Sequence, residues 1–243
     1  MAEASPLTEM TRLERWMINS PPRCWLFRLE FRSFWRLAER RGFAVPADGC
    51  LMDVGCGRGI SGRLLLRLFR AARVVVFDSD RLQVRLSDGD LRHHRHAVSL
   101  LLADAHYMPF PDASYDAVFD IATLHHISHL PGGQCGWRWA LTEVRRVLKP
   151  GGLFFFAEPS RGRLKHGIFR FTRHDPEAMF DRAEMSQALA GAGLEVIGPL
   201  GSMSLWDIVG LARSPGESGA TSPTRLSTTG PPCASPPTGG DAP

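Results

Sequence analysis

The sequence predicts an α/β fold: a doubly wound, seven-stranded, mostly parallel sheet with an antiparallel last strand, preceded by N-terminal helices. Three observations carry this. Between Leu51 and Pro159 short apolar runs alternate with helical stretches, the pattern of parallel strands joined by crossover helices. Three of the runs end in an acid, at Asp78, Asp104 and Glu158. The first run opens into a loop with glycine at every second position, Gly55, Gly57 and Gly59, and then into a helix.

Length and composition narrow the class. A chain of 243 residues suits one α/β domain with additions. Residues 1–46 are expected as a helical extension, 47–212 as the domain, and 213–243, rich in Gly, Pro, Ser and Thr, as a disordered tail. Lys plus Arg number 29 against 25 Asp plus Glu, a net +4 that gives no strong nucleic-acid signal. The cysteines at 24, 50, 56, 135 and 233 form neither a Cys-x-x-Cys pair nor a metal-ligand cluster, so a reduced cytoplasmic protein without a metal is expected. No apolar run reaches the roughly 18 residues of a membrane span.

Taken in order, residues 1–46 form two helical pieces broken at Ser20-Pro21-Pro22, because proline disfavours continuing a helix. In the second piece Arg28, Arg32, Arg36 and Arg40 recur every four residues beside a stripe of Phe27, Phe31, Phe34 and Ala38. The favoured reading packs the aromatic stripe on the domain and leaves the arginines solvated. The alternative is peripheral membrane contact through residues 23–41.

The stretch Leu51–Gly62 reads as strand, tight loop and first helical turn, and the helix continues through Leu64, Leu65, Leu68 and Phe69 to Arg70. Glycines here permit positive φ and close approach of a ligand to backbone N–H groups at a helix N-terminus. A P-loop is excluded because Arg63 and Leu64, not Lys and Ser or Thr, follow Gly62. The third glycine of a dinucleotide fingerprint falls on Ile60, and Asp53 would repel a pyrophosphate while attracting an ammonium or sulfonium. A cationic nucleoside fits better.

Arg73–Asp78 is the second strand, and Asp78, 25 residues after Asp53, stands near the spacing at which an acid reaches ribose hydroxyls. Asp80 reads as a helix cap. Arg81–His96 reads as a helix broken near Ser87-Asp88-Gly89-Asp90, with His93, His94 and His96 on a solvated turn. The third strand covers Val98–Ala105, a turn-rich connector Met108–Asp116, and the fourth strand Ala117–Ile121. After it, His125 and His126 are candidate bases, since neutral imidazole accepts protons near pH 7. Ala140–Leu148 is an amphipathic helix stopped by Lys149-Pro150-Gly151-Gly152, and Leu153–Pro159 is the fifth strand. Glu158 at its carboxyl end either orients a substrate or bonds the loop. Arg161–Asp181 reads as a specificity segment carrying His174, a further candidate on the substrate side. A helix from Asp181 stops at Gly191-Ala192-Gly193, and Leu194–Ile197 and Leu205–Ala212 form an antiparallel pair that closes the sheet.

The ordered set of these motifs resembles the class I S-adenosylmethionine-dependent methyltransferases, small-molecule branch, over about Leu51 to Ala212. The resemblance implies a Rossmann-like sheet and S-adenosylmethionine as cofactor. Asp53, Gly55, Gly57 and Gly59 match the family's first motif, Asp78 its ribose-holding acid, and Asp104 with Ala105 its adenine site. Ser79 and Ile121 join the expected cofactor contacts. The implied reaction is methyl transfer to a small acceptor, with a hydrophobic or lipid-like one favoured and oxygen, nitrogen or carbon left open. A non-catalytic S-adenosylmethionine-binding protein and a nicotinamide-dependent oxidoreductase stand as alternatives.

Overall fold

The computed structural model describes residues 20–71, 73–127, 136–160, 180–203 and 206–216. The first helical piece, nearly all of the specificity segment with His174, and the tail beyond Gly216 lie outside the described residues. The elements run α1 (Pro21–Arg40), β1 (Cys50–Val54), α2 (Ile60–Leu68), β2 (Arg73–Asp78), α3 (Arg81–Leu91), β3 (Val98–Leu102), β4 (Tyr115–Ile121), α4 (Leu124–Ile127), α5 (Gly136–Val147), β5 (Leu148–Glu158), α6 (Arg182–Gly191), β6 (Glu195–Val196), β7 (Gly201–Met203) and β8 (Trp206–Arg213).

The sheet order is β3-β2-β1-β4-β5-β8-β6, with β7 also paired to β8. Strands β1 to β5 are parallel, and β8 inserts antiparallel between β5 and β6. Because β1 lies between β2 and β4, the order reverses at β1, and ligands of such sheets bind in the crevice beyond the carboxyl ends there. The sheet has eight strands rather than seven. Beyond the expected pair, Gly201 and Met203 also pair with Val209 and Trp206, so one long strand carries two short partners.

Both faces of the sheet are covered, which is why its strands read as apolar runs rather than alternating ones. On one face Met52, Val54, Val118, Phe154 and Phe156 pack under α5 and α6. On the other, Leu51, Phe119 and Phe155 pack with Leu65 and Phe69 and with Phe31 and Phe34 of α1. Phe119 and Phe155 are register partners whose rings stack 4.6 Å apart, and Phe34 meets both edge-on. The aromatic stripe of α1 is therefore part of the core, while Trp25, Leu29 and Trp35 remain exposed on its opposite side.

Local signals explain most element ends. Pro21 stands in the first turn of α1, Asp80 caps α3 by accepting from Leu82 N at 2.7 Å, and Asp181 with Glu184 forms a capping box on α6. Three expectations fail. Helix α3 runs unbroken through Ser87–Asp90 because Ser87 is buried and donates to Gly57 O at 2.5 Å, so tertiary packing overrides weak helix propensity. The Lys149–Gly152 stretch ends α5 as expected but joins β5 as an irregular extension: Leu148 pairs with Tyr115, Gly151 takes φ +77°, and Ser214 exchanges hydrogen bonds with Gly151 and Gly152. The third strand also stops at Leu102, short of Asp104.

Truncating Phe34 to Ala should cost about 3–5 kcal/mol of unfolding free energy in urea titrations. Trp35→Ala, one residue on and facing out, should cost no more than about 0.5 kcal/mol.

Candidate active site

The carboxyl ends of β1, β2, β4 and β5 bring together Asp53, Asp78, Asp120 and Glu158, all buried. Above them lies the glycine loop. At Gly55 φ is +67°, and a Cβ there would fall onto the side chain of Thr123, so glycine is required for the loop to pass over the β4 turn. At Gly57 φ is +51° and a Cβ would meet nothing within 4 Å, leaving the backbone open to a ligand.

Asp78 holds this loop. Its Oδ2 accepts from Gly57 N at 2.9 Å and its Oδ1 from Asp80 N at 2.8 Å. Each oxygen retains a second lone pair, enough for two neighbouring hydroxyls. Burial pushes its carboxyl up to about 6. Asp53 lies under the loop, with Ser61 Oγ of α2 donating to its Oδ2. Burial pushes Asp53 up to about 8, and the nearby Asp120 and Asp78 add to the rise. Its negative charge would thus be favoured only when a cation faces it.

Beyond β3, Asp104 is half-exposed and accepts on Oδ1 from the backbone N of His106 at 2.9 Å, with the His106 ring Nδ1 at 2.8 Å. The bond to the His106 ring lowers its carboxyl below the usual range. Ala105 is buried next to it, Ser79 is exposed past Asp78, and Ile121 is buried at the end of β4.

The β4–α4 turn and the end of β5 form one unit. Ala122 takes φ +61°, a conformation rare for a residue with a side chain. It aims the next two amides at Glu158, whose Oε1 accepts from Thr123 N at 2.8 Å and Leu124 N at 2.9 Å. Glu158 Oε2 lies 2.6 Å from His125 Nδ1. Beside an ionised carboxylate that nitrogen carries the proton, which leaves the lone pair on Nε2. The His126 ring lies 4.1 Å from that of His125 and is less buried.

Sequence reasoning paired neither histidine with Glu158. Of the two readings open for Glu158, the structure shows loop bonding, with the side chain 0 % exposed. Sequence reasoning missed Asp120 and Thr123. Asp120 carried a signal, an acid inside the otherwise apolar run Ala117–Ile121, one strand away from a second acid. Thr123 carried none.

Residues 52–156 match the family described as Methyltransferase domain. Residues 52–156 thus carry the pattern of a methyltransferase domain, on a Rossmann-like sheet. A fatty-acid O-methyltransferase of Mycolicibacterium smegmatis is 30% identical over 151 residues, 60% of this chain and 44% of that one. A malonyl-[acyl-carrier protein] O-methyltransferase of Serratia marcescens is 30% identical over 178 residues, 70% and 64% of the two chains. A demethylmenaquinone methyltransferase of Tropheryma whipplei is 30% identical over 142 residues, 53% and 49%. The chain thus spans about half to two thirds of the length of these relatives. Among solved structures, a SAM-dependent methyltransferase from Aquifex aeolicus superposes with a TM-score of 0.65 at 18% identity, covering 85% of this chain and 100% of that one. The [4+2]-cyclase SpnF shares the fold with a TM-score of 0.52 at 23% identity, covering 68% and 57%.

The cofactor of this class of methyltransferase domain is S-adenosylmethionine, and the residues present suit it. The open face at Gly57, the spare acceptor capacity of Asp78 and the ring of buried acids match a nucleoside that carries positive charge. The match with a methyltransferase domain sets aside the nicotinamide alternative.

Stability should register Asp53. Its carboxyl titrates near 4 when unfolded and near 8 when folded, so between those values the folded state binds the extra proton. Unfolding free energy of the cofactor-free chain should therefore fall as pH rises from 5 to 8. In urea titrations, Asp53→Asn should flatten this fall by at least about 1 kcal/mol.

Proposed function

We propose that the chain is an S-adenosylmethionine-dependent methyltransferase acting on a lipid-like acceptor that must lose a proton as it is methylated. The observation that carries the reading is the His125–Glu158 pair standing beside the glycine loop of a methyltransferase domain. The matched relatives named for fatty-acid, acyl-carrier and demethylmenaquinone acceptors support the hydrophobic choice.

When bound, the cofactor supplies a sulfonium-activated methyl group for in-line displacement. Asp78 would accept from the ribose hydroxyls, with Ser79 beside it. Asp104 and the Ala105 amide would hold the adenine, and Ile121 would line the site. Asp53, beneath the Gly55–Gly59 loop, would counter the positive charge. His125 Nε2 receives the acceptor's proton while Glu158, held by the Thr123 and Leu124 amides, stabilises the imidazolium. Alignment of donor and acceptor supplies much of the remaining rate.

Incubation with tritiated S-adenosylmethionine and, separately, oleic acid, a long-chain alcohol and a prenylated naphthoquinol should label at least one of them. Labelling of none, with the cofactor bound, favours the non-catalytic alternative. On the acceptor that is labelled, His125→Gln should lower kcat by about 10²–10⁴ and leave the KM for the donor within threefold.

The reading extends to the membrane. Arg28, Arg32, Arg36 and Arg40 share the outward side of α1 with Trp25 at 61 %, Leu29 at 38 % and Trp35 at 42 % exposure. Indole rings among arginines suit the headgroup region of an anionic bilayer, while no described helix is long and apolar enough to cross one. The chain should co-sediment with phosphatidylglycerol vesicles and not with phosphatidylcholine ones. Changing Arg28, Arg32 and Arg36 together to Glu should weaken that binding more than tenfold, at about 1 kcal/mol per charge near the surface.

A further inference from the structure

Among the described residues, Asp120 is the one acid of the buried ring whose carboxyl accepts no hydrogen bond. It is 1 % exposed, and neither Oδ1 nor Oδ2 has a partner. Its backbone pairs with Phe156, and Glu158, two residues further along β5, projects on the same face as Phe156. The two carboxyl groups lie against each other.

Two buried carboxylates side by side cannot both be ionised without a cost of several kcal/mol. Their surroundings decide which is neutral. Glu158 has three donors, from Thr123 N, Leu124 N and the His125 ring, all of which favour its anion. The same two amides approach Asp120, but no described donor makes a hydrogen bond to it, and Asp53 nearby adds a further carboxyl. Protonation gives Asp120 an O–H donor, which can point at the acceptor-only carboxylate of Glu158.

We infer that Asp120 is a positioning residue that holds a proton between itself and Glu158, so that Glu158 stays an anion turned toward His125. Burial raises both carboxyls, that of Asp120 well above its ordinary range. The proton stays on Asp120 throughout and never reaches the substrate. Its function is to make one of two adjacent acids the acceptor for His125 Nδ1–H and thereby keep the lone pair on Nε2. The same role explains an acid near the carboxyl end of β4, where an apolar residue would fill the space without a desolvation penalty.

The inference rests on the His125–Glu158 pairing, and its test needs no acceptor. Nitrogen-15 NMR of the full chain at pH 7.5, with the His125 signal assigned by its loss in His125→Gln, should show Nδ1–H with Nε2 unprotonated. In Asp120→Asn the side-chain amide still donates to Glu158, so this tautomer should persist. In Asp120→Ser it should give way to a mixture or to imidazolium. Wild-type minus Asp120→Asn infrared difference spectra at the same pH should contain a carboxylic-acid C=O band. Absence of that band, or an unchanged His125 tautomer in a folded Asp120→Ser variant, overturns the assignment. Near-complete loss of S-adenosylmethionine binding in Asp120→Asn also overturns it, because it would make Asp120 a ligand for the donor's positive charge. Failure of the base role appears separately, as wild-type methyl transfer by His125→Gln.

Discussion

The site depends on a single carboxylate that is wholly removed from water. Glu158 has no exposed surface, and a charge there survives only because backbone amides and a ring N–H surround it. Those donors come from the turn after β4, so the end of β5 and that turn cannot move independently. The tie continues: Thr123, held at its amide by Glu158, donates through Oγ1 to Val54 O at 3.0 Å and occupies the space that glycine leaves at position 55. From there the loop reaches Asp78 through Gly57. One line of hydrogen bonds thus runs across the carboxyl ends of β5, β4, β1 and β2. This rigidity suits a reaction in which placement of donor and acceptor carries much of the rate.

What could be read from the chain alone follows from how far each signal reaches. Strands buried on both faces announce themselves as apolar runs, so β1, β2, β4 and β5 were placed to within a few residues. The glycine loop and Asp78 lie within 25 residues of each other and share a spacing set by one strand–helix–strand unit. The His125–Glu158 pair was different. Its members stand 33 residues apart on separate elements, and only the register of β4 on β5 brings them together. The break expected at Ser87 in α3 followed local propensity, and long-range packing overrode it.

The fold by itself does not choose a reaction. The same sheet serves the Aquifex methyltransferase and the cyclase SpnF, at sequence identities too low to speak to more than architecture. On the proposed function, chemistry is carried by the few side chains at the strand ends: the acid ring that would favour a cationic nucleoside, and the imidazole held by a buried carboxylate. The aromatic stripe of α1 has a second effect. By locking Phe31 and Phe34 onto Phe119 it fixes which side of the helix meets solvent.

The late insertion of β8 bears on how the molecule is made. Glu158 pairs in register with Ile208, and β5 has β8 as its neighbour on the side away from β4. Until residues 206–213 have left the ribosome, β5 is an open edge with unpaired backbone groups. The nascent chain therefore carries its glycine loop, Asp53 and Asp78 long before the strand bearing Glu158 is enclosed. A chain halted before β8 would hold half of the proposed site, and completion of the sheet and enclosure of the His125–Glu158 pair would be one event.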